Sequence, residues 1–230
     1  MISNVYILTP VELTVIAAAK DLGGIFSIHN TGKAADVKMV IQALNHLYQE
    51  EFILNAEDDG FVLEAGLQEL ITGIKEAKAI VLIRHFSEGA RMKTIYIGRQ
   101  LVAMEQRKQN LSSIRIYEIP REELMNFIFE DIKQETKSYR SVLDEEHLFL
   151  EGIQKKHILQ DDEVENMGNI ITMVEKITPQ NNKVSSRMVA KNENERIRYT
   201  QEEKELQYLK EEEFLNGIVD MIEEELDDIS

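Results

Sequence analysis

Five histidines, His29, His46, His85, His147 and His157, are the side chains best suited to bind a metal or move a proton near neutral pH. No two of them stand at i and i+4 on a helix beside a further carboxylate, the spacing zinc chemistry needs. The densest cluster is Asp144-Glu145-Glu146-His147. Consecutive residues point to different sides of a helix, so this run reads as a solvated face. Gly32-Lys33 has the ending of a phosphate loop, but Gly24 lies too far upstream and Ala34 replaces the magnesium-binding hydroxyl. Asp58-Asp59-Gly60 lacks the downstream carboxylates of a calcium loop and reads as a turn. Neither a nucleophile elbow nor a dinucleotide-binding fingerprint occurs. The reading is therefore no enzyme, with no catalytic residues, no cofactor and no metal site.

The elements that would position any site are easier to read. Ala79 to Pro120 holds four runs, AIVLIRHF, RMKTIYI, QLVAMEQR and SSIRIYEI, rich in β-branched and aromatic residues. Turn signals at Glu88-Gly89 and Gly98-Arg99 make them an antiparallel meander, which needs helices to cover it. Upstream, Thr9-Pro10-Val11-Glu12 combines a hydroxyl cap, a first-turn proline and a capping-box glutamate, with Gly23-Gly24 as the expected stop. A helix over 34–50 carries Val37, Val40, Ile41, Leu44, Leu47 and Tyr48 on one face. A hairpin over 52–63 and a helix over 64–77 with Leu67, Leu70, Ile71 and Ile74 inward follow. Helix, helix and hairpin together give 1–78 a winged-helix outline.

Past the meander, 121–135 reads as a helix with Leu124, Phe127, Ile128 and Ile132 as its stripe. Residues 137–168 read as helical pieces, 169–178 and 183–199 as strands, and 201–227 as one final helix. The fold class is α+β: a mainly antiparallel sheet flanked by helical subdomains, in one domain spanning 1–230 with parts at 1–78, 79–136 and 137–230. Arg115-Ile116-Tyr117 and Arg198-Tyr199, each ahead of an acidic helix, suggest two similar halves sharing the sheet.

Charge narrows the partners. The chain has 26 basic and 42 acidic residues, a net charge of -16. Residues 1–136 contribute -5 of this and 137–230 contribute -11. Such a surface repels nucleic acid and anionic lipid. The helix over 34–50 has only Lys38 as a cation within it and ends in Glu50-Glu51, which weakens a winged-helix transcription regulator, the alternative reading. The absence of cysteine excludes disulfides and fits a reducing compartment. MISNVYILTP has no basic n-region and no spanning-length apolar run, so cytoplasmic residence without membrane insertion is expected.

The order LTPVELTVIAAAKDLGG, ALNHLYQEEFIL, FVLEAGLQELITGIKEA, VLIRHF, TIYIGRQLVAMEQR and IYEIPREELMNFI resembles the EspG-type chaperones of type VII (ESX) secretion, in particular the EsaE-like accessory proteins of Firmicutes. The resemblance covers about residues 5–135 as a pattern of elements without a signature motif. It implies a cytoplasmic chaperone that keeps a helical secreted protein, or its complex with small helical partners, soluble until it meets the secretion ATPase. It also implies partner contacts from a sheet-end loop and the C-terminal helices. Here those are Gln106, Arg107, Lys108, Gln109 and Asn110, with Leu215, Ile218 and Ile222 on the last helix. The tip at 106–110 is shorter than that docking mode calls for.

Overall fold

A computed structural model of the chain describes residues 4–22, 36–57, 60–86, 91–107, 110–132, 172–179, 183–190, 196–200 and 206–227. Its strands are β1 (Tyr6–Leu8), β2 (Ile53–Glu57), β3 (Gly60–Leu63), β4 (Ala79–His85), β5 (Arg91–Ile97), β6 (Leu101–Arg107), β7 (Asn110–Glu118), β8 (Thr172–Thr178), β9 (Lys183–Ala190), β10 (Arg196–Thr200) and β11 (Leu206–Leu209). The helices are α1 (Pro10–Ala19), α2 (Val37–Gln49), α3 (Ala65–Lys75), α4 (Leu124–Ile132) and α5 (Glu211–Asp227), with a 3-10 turn at Arg121–Glu123. The protein is α+β, as its sequence pattern indicates.

Nine strands form one antiparallel sheet in the order β1-β7-β6-β5-β4-β8-β9-β10-β11, while β2 and β3 form a separate hairpin. The order contains two four-stranded meanders, β4 to β7 and β8 to β11, which meet where β4 pairs with β8. Both α4 and α5, which come after the two meanders in the chain, pack on the same face. The topology of the described strands is thus repeated. The residues that suggest the repeat in sequence do not correspond, because Arg115-Ile116-Tyr117 lies on the last strand of its meander and Arg198-Tyr199 on the third of the other.

Strand alternation divides the core into two layers. Ile80, Leu82, Tyr96, Val102, Met104, Ile114 and Ile116 face α1, α3 and the β2–β3 hairpin. Val81, Ile83, Ile95, Ile97, Ala103 and Tyr117 face α4 and α5. Helix α1 starts as its sequence indicates: Thr9 accepts from the Glu12 amide at 3.2 Å and Glu12 accepts from the Thr9 amide at 2.6 Å. It ends before the expected glycines. Asp21 takes a left-handed φ of 52°, and the Leu22 amide reaches the Ala17 carbonyl at 2.9 Å.

The edge strand is tied to α3 by one junction. Glu64 caps α3, accepting from the Leu67 amide at 3.0 Å and from the Tyr6 hydroxyl at 2.5 Å. Burial, then the Glu64 hydrogen bond and charge, push the Tyr6 phenol up to about 12. Donation by Tyr6, followed by the Gly66 and Leu67 amides, holds the Glu64 carboxyl below its usual value. Gly66 leaves the space for this contact, since a Cβ there would meet the Tyr6 hydroxyl oxygen at 2.4 Å.

The end of the chain departs from its pattern. Leu206–Leu209 is strand β11, paired with β10 from Arg196↔Leu209 to Tyr199↔Leu206, so the final helix begins at Glu211 and not Gln201. Acidic and lysine-rich neighbours favour helix locally, and pairing to β10 overrides that preference.

Candidate functional site

The side chains most capable of chemistry are inside the sheet. Glu175 on β8 is 0 % exposed and sits between two arginines. One of its oxygens accepts from Arg187 Nε at 2.8 Å, and the other lies 3.2 Å from an Arg84 guanidinium nitrogen. On the opposite face Lys93, also 0 % exposed, donates to the Phe127 carbonyl of α4. Its ammonium stands 4.2 Å from the Phe127 ring centroid and 3.8 Å from Glu105. These contacts stitch strands to strands and sheet to helix.

The candidate motifs fare variously. His85 Nδ1 lies 3.0 Å from the Thr172 hydroxyl, a buried link between β4 and β8. His46 Nδ1 lies 2.6 Å from Glu12, whose other oxygen closes the α1 capping box. His29, His147, His157, the 144–147 run, Gly32-Lys33 and Asp58-Asp59 lie outside the described residues. Among the described residues, no group of three or more His, Asp or Glu could hold a metal ion. A groove of about 270 Å³ runs between α3 and the β5–β6 turn, with Glu69, Thr72, Arg99 and Gln100 in its wall. Gln100 donates to the Glu69 carbonyl at 2.9 Å across it, and Gly73 makes room for the Gln100 amide. That groove is the docking joint of α3.

Of the residues expected to meet a partner, Gln106 is buried on β6, while Arg107 and Asn110 pair where the β6–β7 register shifts. Lys108 and Gln109 lie outside the described residues. Leu215 is partly buried, and Ile218 and Ile222 are both 0 % exposed in the core shared with α4 and the sheet. That apolar face of α5 is occupied by the chain itself.

Helix α2 is different. Eight large hydrophobic residues are exposed among the described residues, and four belong to α2: Val37 at 76 %, Met39 at 44 %, Ile41 at 53 % and Tyr48 at 41 %. The sequence pattern puts Val37, Ile41 and Tyr48 on the same face as Leu47, as one stripe. Instead Ala43 and Leu47 are buried, Leu44 is partly covered, and the other three face solvent. At about 100° per residue, Val37, Ile41 and Tyr48 fall within about 40° of one another, beside the packed seam. The apolar arc is simply wider than the surface covering it.

The chain holds this helix firmly. Asp36 caps it, accepting from the Met39 amide at 2.8 Å, and Glu12 of α1 anchors His46 on its far side. At the other end Glu51 adopts a φ of 59°, and the Phe52 amide reaches the Leu47 carbonyl at 2.9 Å. The exposed stripe is therefore presented by a capped helix docked on α1. Compared with known proteins, the sequence matches no family model and no curated protein.

Proposed function

We propose that this chain is a chaperone or adaptor that grips a helical segment of another polypeptide, without making or breaking a bond. In the class it resembles, that polypeptide is a type VII secretion substrate held soluble in the cytoplasm before export. The observation that carries the reading is the apolar stripe on α2: a docked, capped helix whose outer face is far more hydrophobic than its own packing requires. Supporting it, the net charge of -16 favours a soluble, cation-seeking surface, and no helix among the described residues is long and apolar enough to cross a membrane. The same stripe weighs against a DNA-reading role, because a groove-entering helix needs cations where α2 has Val37, Ile41 and Tyr48.

Co-expression with each small helical exported protein encoded nearby tests the proposal. A stable complex with one of them, surviving size exclusion, is the expected result. Failure with all of them, combined with a salt-sensitive shift of duplex DNA, would favour the regulator instead.

A further inference from the structure

We infer that the α2 stripe is itself the docking surface, and that its occupant is an amphipathic helix whose apolar seam is flanked by lysine or arginine. This inference rests on the chaperone reading and adds to it the place of contact and the charge of the partner. Val37, Ile41 and Tyr48 follow one another at helical spacing over about 16 Å, three turns, which is the footprint of a helix lying along a helix. The exposed parts of these side chains amount to roughly a few hundred Å², comparable to the largest apolar patch on an ordinary monomer, which is often functional.

Charge selects the occupant. Acidic groups stand at both ends of the stripe: Asp36, which caps the helix, before Val37, and Glu51 after Tyr48, while Glu50 turns away to His46 at 3.9 Å on the far side. Lys38, Gln42, Asn45 and Gln49 border its open side, and with Asp36, Glu50 and Glu51 set against the single Lys38, α2 and its caps are net negative. A second copy of the chain would bring another net charge of -16 to the contact, and an anionic bilayer would also be repelled. A helix with basic flanks gains at both ends while its seam covers Ile41 and Tyr48.

Fluorescence anisotropy with a labelled synthetic helix of about 15 residues tests this, using leucines at i, i+4 and i+7 and lysines on either side. The lysine peptide should bind at least about 10-fold more tightly than its glutamate-flanked twin, and its affinity should fall with added salt. Ile41→Ser with Tyr48→Ser should weaken binding by about 10-fold or more, with the circular dichroism melt unchanged as the check on folding. Equal binding of both peptides, unchanged binding by the double variant, binding of neither peptide, or a dimer of the chain alone in sedimentation each overturns the inference. If the double variant still captures a co-expressed exported helix, the chaperone reading stands and this surface falls. If the peptide binds through the stripe but no exported protein is captured, the reverse holds.

Discussion

The β4–β8–β9 seam and helix α2 invert the ordinary arrangement in opposite ways. The seam hides charge: Arg84, Glu175 and Arg187 are at most 7 % exposed. Helix α2 displays hydrocarbon, with Val37 exposed to 76 %. The fold explains the first inversion. Glu175 pairs with Arg187 across β8–β9 and with Leu82 across β4–β8, all on one face of the sheet. A slip of one residue would turn these charges into the face of Val174 and Met188, so the cluster fixes the register where the two meanders join. The described residues offer no such account of the α2 stripe. The difference teaches where to look for function: buried charge serves the sheet, and uncovered apolar surface on a secured helix is where the proposed partner would dock.

The largest effect should come from breaking the seam. Glu175→Ala strands two arginines in the sheet and should cost about 3–5 kcal/mol in denaturant unfolding. A loss below about 1 kcal/mol would show that the cluster does not fix the seam. Next comes the Tyr6–Glu64 junction. Gly66→Ala forces a Cβ against the Tyr6 hydroxyl and should cost about 1–3 kcal/mol, part of which Tyr6→Phe should restore in the double variant.

The same junction sets a pH window. The raised Tyr6 value means its contribution is complete below pH 10.0 and is withdrawn as pH rises through about 12. The lowered Glu64 value gives a contribution present above its ordinary value of 4.5 and lost as pH falls. Thermal midpoints should therefore drop at both extremes, and Tyr6→Phe should flatten the alkaline side. The smallest effect belongs to the stripe: Ile41→Ser should change stability by no more than about 0.5 kcal/mol, since Ile41 is 53 % exposed and no described residue buries it. A cost of several times that would make Ile41 a packing residue and dissolve the contrast with the seam.

Much of this fold was legible because its signals are local. The capping box of α1, the four strands of the first meander and the inward stripe of α3 each depend on spacing within a few residues. Strand β11 was not legible, since LQYL becomes a strand only by meeting β10. The buried cluster was hidden for the same reason: Arg84 and Glu175 lie on distant segments, and alternation alone leaves a charged position indistinguishable from a solvated one. Periodicity in α2 correctly announced an apolar arc. It carries no information about how much of that arc the rest of the chain covers, so the exposed part cannot be told from the packed part in sequence.

The most direct measurement is the mass of the complex between the purified chain and a co-expressed helical exported protein, by size exclusion with light scattering, for the wild type and for Ile41→Ser with Tyr48→Ser. The account predicts a stable complex for the wild type and free components for the folded variant. A complex that forms equally well with both proteins would contradict it.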